Sequence, residues 1–396
     1  MSGPASHTPV APGGVNPACA RSPLKAGRAI ADALQGKLVI VCGPGGVGKT
    51  TTAAALALAS AGLGRKTLVC TIDPAKRLRT SLGLARLTGT PQKVKGRLYA
   101  MRLDPKQTFD DLVRRHASSP EARERVLNNR FYRQISRHLA GTHEVMAMEA
   151  LMGVSDDFDL IVLDTPPASS ALAFLDAPKR VLDFVDGRVL RYFLKPYFVA
   201  GRLAIEPRTV IGRTFLRIVD AAVGLQFLRE LSEFFLAFEG LFDSFGQTAR
   251  AMQDLLSNQG TTFILTTTPS SSRVTEGAAF EVALRERGLR PAAIVANRVH
   301  PWAISSPWSP WSRTRAKPSQ SEQVPFMFTP EVRAELEALA GREQSRADAD
   351  ARHLRQITAK SGLPAIAVPE LDKDVHDLRS LAIVASWLCP TPVLSS

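Results

Sequence analysis

The sequence predicts an α/β protein with a doubly wound, mostly parallel sheet and an inserted helical subdomain. Seven short apolar runs recur along the 396-residue chain, and helical stretches separate several of them. Most of the runs are nearly continuous in apolar residues, which is typical of parallel strands that are buried on both faces. The alternation of strands and helices favours a sheet with right-handed crossovers.

The predicted strands are unevenly spaced along the chain. They cover residues 37–42, 67–72, 98–103, 158–163, 261–267, 292–297 and 364–368. Two gaps, 104–157 and 174–258, are too long for ordinary crossovers and carry amphipathic helical patterns, so we expect the inserted subdomain there. The aromatic run 184–245 in the second gap predicts either core or dimer contacts, or an exposed groove for an apolar ligand.

One domain is expected over residues 36–388. Residues 1–35 are rich in Pro, Ala, Gly and Ser and predict a disordered leader, without an apolar segment typical of secretion. Residues 302–325 combine Trp, Ser and Pro and predict an irregular loop. Residues 389–396 form a tail.

The net charge of +13 makes an acidic partner possible, either an anionic membrane surface or an acidic protein. The basic stretches themselves favour a solvated helix face over either partner. No nucleic-acid-binding module accompanies the charge, which disfavours nucleic acid. No apolar run approaches the roughly 20 residues of a transmembrane helix, so a cytoplasmic protein is expected. The four cysteines form no C-x-x-C pair, which argues against a disulfide framework or a thiolate zinc site. Cys42 and Cys70 end apolar runs and are expected to be buried.

A glycine-rich segment between the first strand and the following helix is the strongest motif of the chain. It matches the phosphate-loop pattern G-x-x-x-x-G-K-[ST] with residues Gly43, Pro44, Gly45, Gly46, Val47, Gly48, Lys49 and Thr50. Backbone N–H groups and the helix dipole at such a loop favour anions. Lys49 is expected to reach the terminal phosphates, and the Thr50 hydroxyl to bind Mg²⁺.

Two carboxylates follow later strands. Asp73 stands at the end of the second strand and Asp164 at the end of the fourth. An isolated Asp-Pro pair is as consistent with a helix cap or a turn. After a phosphate loop, however, two carboxylates at strand ends are typical of Mg-nucleotide hydrolysis, in which one holds Mg²⁺ and the other orients the attacking water.

Together these motifs resemble the ArsA family of arsenite-pump ATPases and tail-anchored-protein-targeting ATPases, within the MinD/ParA-like deviant-Walker group of P-loop NTPases. The phosphate loop with Thr51 resembles the family's loop, and its two switches are similar to segments 73–75 and 164–167. Segments 174–178, 266–269, 297–299 and 368–371 match later parts of the pattern. The resemblance covers residues 36–388 except 302–325.

The resemblance implies an ATPase that uses ATP and Mg²⁺. Lys49 would bind the β- and γ-phosphates, Thr50 would bind Mg²⁺, and Thr51 would contact the α-phosphate. Asp73 would position the hydrolytic water. Asp164 would hold Mg²⁺ through its water shell.

Further implications concern the base and the quaternary structure. Asn297 would read the adenine edge, and the segment around Pro369 would pack on the ring. Relatives resemble nucleotide-sandwiched dimers that report the ATP state to a helical subdomain. The resemblance therefore implies a homodimer, or a heterodimer with a paralogous ATPase.

The chain departs from the family pattern in three ways. Pro44 stands where the group usually has a second lysine that reaches a phosphate across the dimer. Either a paralogous partner or a nearby basic residue, such as Lys76 or Arg77, would have to supply that charge. The C-x-x-C zinc clasp of the targeting ATPases is missing. No thiol cluster for arsenite is predicted either. The alternatives are therefore a regulatory subunit that hydrolyses ATP poorly, or a carrier for hydrophobic segments.

Overall fold

The computed structural model describes residues 22–72, 77–116, 124, 142–186, 245–289, 291–305 and 329–389. Within these residues eight strands form one sheet. They are β1 (Leu38–Cys42), β2 (Thr67–Thr71), β3 (Gln92–Lys95), β4 (Leu98–Arg102), β5 (Leu160–Asp164), β6 (Thr261–Thr267), β7 (Pro291–Val299) and β8 (Ala365–Pro369). The predicted sheet is confirmed.

The strands lie side by side in the order β3-β4-β2-β5-β1-β6-β7-β8. Every neighbouring pair is parallel except β3 and β4. All seven predicted strands are present. Strand β3 was not predicted, because a short edge strand of mostly polar residues (Gln92–Lys95) has no apolar run to mark it.

Helices cover both faces of the sheet. They are α1 (Ser22–Ala33), α2 (Lys49–Gly62), α3 (Arg77–Ser81), α4 (Pro105–His116), α5 (Thr142–Met152), α6 (Ala168–Leu175), α7 (Ala177–Asp186), α8 (245–257), α9 (Ser271–Glu286), α10 (Pro301–Ser305), α11 (Pro330–Ser361) and α12 (Leu378–Leu388). A 3₁₀ turn at Ser155–Asp157 precedes β5.

Two apolar cores lie on opposite faces of the sheet. Alternate residues of β1 face each of them: Ile40 packs into one core, and Val39 and Val41 pack into the other. Helices α1, α2 and α12 line the core around Val39, whereas α5, α8, α9 and α11 contribute to the core around Ile40. This arrangement explains why β1 is apolar at every position and buried on both faces.

Helix α2 is rich in alanine because it is buried along most of its length. Eleven of its residues, from Lys49 to Ser60, are buried. Its small side chains allow close packing against the sheet and against α12. The helix that carries the phosphate loop is thereby held firmly in the core.

The structure corrects two predictions at the domain's margins. The predicted disordered leader contains α1, in which Ala26, Ile30 and Ala33 are buried. The prediction of disorder is therefore wrong for residues 22–35. Residues 1–21 lie outside the described part of the chain. The predicted irregular loop 302–325 begins in a short helix, α10. The rest of that loop, from residue 306, is not among the described residues.

The described parts of the two predicted insertions are helical. Helices α4 and α5 lie in the first, and α7 and α8 lie in the second. Most of the aromatic run 184–245 falls outside the described residues, so its packing stays a prediction. Among the described residues, none of the helices is both long and apolar enough to cross a bilayer.

Candidate phosphate-loop site

The loop between β1 and α2 follows a path that only glycine can take at two of its positions. Gly43 has a φ of 141°, and a Cβ there would lie 2.1 Å from the Thr266 carbonyl oxygen. Gly48 has a φ of 92°, and a Cβ there would lie 2.0 Å from the Asn297 amide nitrogen Nδ2. Both values of φ are in the left-handed region that favours glycine. The loop therefore fits closely between β6 and β7.

Within the described residues, no side-chain cap is found at the N-terminus of α2. Gly48 is the N-cap residue and provides no capping hydrogen bond, and the first turn contains no acidic residue. The first N–H groups of a helix have no partner within the helix, and its dipole is positive at this end. This end of α2 is consequently suited to an anion.

Lys49 is buried at the start of α2, with only 7% of its surface exposed. Its Nζ atom donates a hydrogen bond of 2.8 Å to the Pro44 carbonyl oxygen. The ammonium group thus lies back over the loop, which places a positive charge inside the anion cradle.

Asp164 ends β5 directly beside the loop and is 1% exposed. Its Oδ2 atom accepts hydrogen bonds from the Thr50 hydroxyl at 2.8 Å and from the Thr71 hydroxyl at 2.9 Å. The sheet register creates this convergence, since Asp164 lies opposite Val41 of β1 on one side and opposite Thr71 of β2 on the other. Thr71 was not predicted as a site residue, although its position at the end of β2 could have indicated it.

Thr165 fixes the chain just after Asp164. Its hydroxyl donates to the Val41 carbonyl oxygen at 2.9 Å, and the residue is 2% exposed. This bond ties the end of β5 to β1. The carboxylate of Asp164 is thereby positioned by its own strand and by the strand that leads into the loop.

The residues at this site fit a magnesium ion that is bound together with phosphate. Mg²⁺ prefers oxygen ligands and is usually held by one or two carboxylates plus substrate phosphates and water. Thr50 and Asp164 provide a hydroxyl and a carboxylate in mutual contact. Among the described residues no group of three or more His, Cys, Asp or Glu side chains is arranged for a metal.

Asn297 lies against the phosphate loop. Its Nδ2 atom donates to the Val47 carbonyl oxygen at 3.1 Å. A β-bulge between Ala296 and Val299, with Arg298 at a φ of 57°, interrupts the pairing of β7 with β8 at this point. Bulges commonly redirect a side chain, so the bulge is the local cause of the Asn297 position.

Pro369 ends β8 opposite Val299, one strand beyond Asn297, and the Glu370 N–H donates to the Val299 carbonyl oxygen at 2.9 Å. The two residues predicted to contact the base thus lie at the same end of neighbouring strands. The proposed water-positioning residue, Asp73, lies outside the described residues, which stop at Ile72 and resume at Arg77.

The cysteines near the site are structural. Cys42 and Cys70 are fully buried, as predicted. Burial raises the pKa of the Cys42 thiol to about 12, although the Lys49 charge opposes the shift. Burial, and to a lesser extent the Asp164 charge, raises the pKa of the Cys70 thiol. Both thiols are therefore protonated and inert at neutral pH.

The comparison with known families agrees with this geometry. The family model described as "Anion-transporting ATPase" (ArsA) matches residues 36–320, more than half of the chain. This chain belongs to the ArsA family. The family resemblance predicted from the motifs is thus confirmed, together with the fold class.

Several curated proteins are similar to this ArsA-family chain. An uncharacterized protein of Streptomyces coelicolor is 31% identical over 271 residues, which is 67% of this chain and 63% of that protein. The ATPase ASNA1 homolog 2 of Paramecium tetraurelia is 33% identical over 149 residues, covering 36% of this chain and 44% of the relative. A putative arsenical pump-driving ATPase 1 of Aquifex aeolicus is 24% identical over 205 residues, 45% of each chain. The chain thus spans less than two thirds of the length of each of these relatives.

Proposed function

We propose that this protein is a Mg²⁺-dependent ATPase that binds ATP at the phosphate loop and hydrolyses it as a nucleotide-driven dimer or heterodimer switch. The observation that supports this most is the convergence of Lys49, Thr50 and Asp164 at the ends of β1 and β5. These ammonium, hydroxyl and carboxylate groups lie at the N-terminal end of α2, where Gly48 is the N-cap residue. That combination suits a polyphosphate with its metal and has no evident role in packing alone.

The phosphate end of the nucleotide would be held by residues of the loop and of α2. The N–H groups of Gly45, Gly46, Val47 and Gly48 would surround the phosphates. Lys49 would exchange its bond with the Pro44 carbonyl for the β- and γ-phosphate oxygens, and Thr51 would contact the α-phosphate. Bound Mg²⁺ would neutralise charge on the phosphates, with Thr50 as a ligand and Asp164 acting through the ion's water shell.

The attacking water would be oriented by Asp73. This residue follows Ile72, directly after β2, and β2 lies next to the strand that carries Asp164. On this proposal, Asp73→Asn keeps ATP binding but lowers turnover by at least ~10²-fold, because a group that orients or deprotonates the nucleophile is lost. Unchanged turnover in Asp73→Asn would contradict the role.

The base would lie toward β7 and β8. Asn297, which sits against the loop, would read the adenine edge, and Pro369 would pack on the ring. The free Nδ2 hydrogen and the amide oxygen are available for this role, since the bond to Val47 uses one hydrogen of Nδ2. Asn297→Ala is expected to lower the affinity for ATP more than the affinity for GTP, as measured by calorimetry.

Calorimetry with Mg²⁺ and ATP tests the nucleotide site directly. We expect saturable heat at or below about 1 mM ATP, and its loss in Lys49→Ala because the ammonium contributes charge-assisted hydrogen bonds. Lys360→Ala is the matched control, since Lys360 is exposed in the last turn of α11 and its loss makes the same charge change. Absence of heat from the wild-type chain at millimolar ATP would refute the proposed function.

Position 44 supports a second candidate, a regulatory subunit that binds ATP but hydrolyses it poorly. Pro44 has no charge to offer a phosphate across a dimer interface, and its carbonyl is engaged by Lys49. On this candidate, a catalytic paralogue would supply the missing lysine. Phosphate release by the isolated chain separates the two, because robust turnover without a partner rules out the regulatory role.

The assembly itself can be tested with the same protein. Analytical ultracentrifugation with Mg²⁺ and a non-hydrolysable ATP analogue is expected to show a dimer that the nucleotide-free chain does not form. Pro44→Lys is expected to raise turnover in that dimer, since it restores the charge at this position. A monomer in every nucleotide state would refute the homodimer and leave the heterodimer to be sought with a paralogue.

A further inference from the structure

An open cavity lies at the carboxyl ends of β2 and β4, separated from the phosphate-loop strand β1 by β5. Its lining includes Thr71, the last residue of β2, and Arg102, the last residue of β4. It also includes residues 85–90, which follow α3 and are called the wall below. Its volume is about 670 Å³. Sites of this size hold small metabolites, and the carboxyl ends of parallel strands are where α/β proteins bind ligands.

The lining of this cavity is strongly basic. The described residues that line it include three arginines, Arg79, Arg86 and Arg102, and none of these described residues is acidic. Arg102 pairs with Asp104 at 2.6 Å. Arg86 is exposed and forms no ion pair within the described part of the chain. Arg86 therefore offers the cavity a positive charge that no ion pair among the described residues neutralises.

The wall that presents Arg86 is held in place without a ligand. Arg79 Nη1 donates to the Ala85 carbonyl oxygen at 3.1 Å, just before Arg86. Gln92 Nε2 donates to the Arg86 carbonyl oxygen at 2.8 Å, and the Arg102 N–H donates to the Thr88 carbonyl oxygen at 2.8 Å. These bonds fix the backbone of the wall, so a ligand would not have to order it on binding.

The remaining polar groups of the cavity are neutral. Thr88 and Thr90 lie in the wall, and Gln107 lies against it: a Cβ added to Gly89 would be 2.3 Å from the Gln107 Oε1 atom. Hydroxyl and amide groups can both donate to and accept from the hydroxyls of a sugar. A bare inorganic phosphate would occupy only a small part of the volume.

We propose that this cavity binds a sugar phosphate or a closely similar phosphomonoester, with its phosphate on Arg86 and Arg102 and its hydroxyls on Thr88, Thr90 and Gln107. Guanidinium groups match the geometry of phosphate oxygens and bind them with charge-assisted hydrogen bonds. Neither Lys49 nor Thr50 is among the described residues that line this cavity. Thr71 connects the two sites, because it lines the cavity and donates to Asp164.

Calorimetry with ribose 5-phosphate tests this proposal, using the full chain and its Lys49→Ala variant, which removes anion binding at the phosphate loop. We expect one saturable site in both proteins. The Arg86→Gln/Arg102→Gln variant is expected to lose at least about tenfold in affinity, since two charge-assisted contacts disappear. Arg86→Gln alone changes an exposed side chain that forms no ion pair among the described residues, so we expect this variant to fold normally and to show a partial loss of affinity.

The control is Arg352→Gln/Arg355→Gln, which removes the same charge from exposed positions of α11. Affinity equal to wild type in this control supports a specific site, and an equal loss in both double variants would overturn it as a general charge effect. Inorganic phosphate is expected to bind more weakly than ribose 5-phosphate. Equal binding of the two, or no binding of ribose 5-phosphate, would overturn the assignment. None of these outcomes depends on ATP hydrolysis, so they are separate from the test of the proposed function.

Discussion

The contact between the phosphate loop and β7 allows a quantitative test with two substitutions, Gly48→Ala and Asn297→Ala. At Gly48 a Cβ would lie 2.0 Å from Asn297 Nδ2 and 3.2 Å from its Cγ, but 3.9 Å from its Cβ. Gly48→Ala therefore clashes with the amide group only. Asn297→Ala would remove that group and leave an ordinary contact. Gly46 is the matched control, because it also has a positive φ, 75°, yet a Cβ there would meet nothing within 4 Å.

The expected free energies of unfolding follow from these distances. Gly46→Ala should cost about 1–2 kcal/mol, the strain of an L-residue in the left-handed region. Gly48→Ala should cost about 2–5 kcal/mol, since overpacking adds about 1–3 kcal/mol to the same strain. Asn297→Ala should cost about 1 kcal/mol for its bond to Val47. The double variant should cost about 2–3 kcal/mol, because the Cβ at position 48 no longer clashes with an amide group and only the backbone strain and the lost bond to Val47 remain.

The assay is urea denaturation of the nucleotide-free chain, analysed as a double-mutant cycle. The double variant is expected to be more stable than the sum of the two single variants by about 1–3 kcal/mol. Additivity within about 0.5 kcal/mol would refute the reasoning, since independent sites behave in that way. Equal costs for Gly46→Ala and Gly48→Ala would also refute it.

Three further predictions follow from the site and its surroundings. Asp164→Asn should change the free energy of unfolding of the nucleotide-free chain by less than about 1 kcal/mol, because an amide oxygen can still accept hydrogen bonds from both hydroxyls. In thermal melts the same variant should reduce the Mg²⁺-dependent stabilisation by an ATP analogue by about 1–3 kcal/mol. Cys42 and Cys70 should resist iodoacetamide at pH 8 until the chain unfolds, because burial raises the pKa of both thiols; rapid labelling of either native peptide in mass spectrometry would contradict this. The hydrogen bond from His300 lowers the pKa of Glu343 below its ordinary value of 4.5. The pair should therefore stabilise the fold fully above pH 4.5, and this stabilisation should be lost as the pH falls through the lowered pKa. Glu343→Gln should flatten that part of the curve of unfolding free energy against pH.

The strands could be predicted from the sequence because burial on both faces leaves a plain signal, a continuous apolar run. Strand β3 could not, since its stability comes from pairing with β4 and its residues alternate between half-buried and exposed. Helix α1 was hidden for a different reason. Its buried residues, Ala26 and Ile30, are spaced as on a helix, but they lie beside a segment whose composition is typical of disorder.

At the site, the phosphate-loop motif predicted Lys49 and Thr50, which belong to one continuous segment. The position of Asp164 at the end of an apolar run predicted the carboxylate. The sequence could not show that Thr71 shares the same carboxylate oxygen as Thr50, because that depends on the register of β2 against β5. It also could not show that Asn297 binds the loop, because a bulge in β7 determines where its side chain lies. Such contacts join parts of the chain that only the tertiary fold brings together.

The central place of β1 in the sheet has a consequence for how the molecule folds. Strands β2 to β5 come from one stretch of the chain and β6 to β8 from a later one, and β1 alone pairs with both halves. The hydrogen bond from Cys42 Sγ to the Ile264 carbonyl oxygen, for example, joins residues that are 222 positions apart in the sequence. Closing so long a loop has a high entropic cost and is slow. We expect the two halves to join late in folding, and the anion cradle to be complete only after they have joined. A nucleotide added to a refolding chain would then bind in step with the last slow phase, and would lock the two halves together once it had bound.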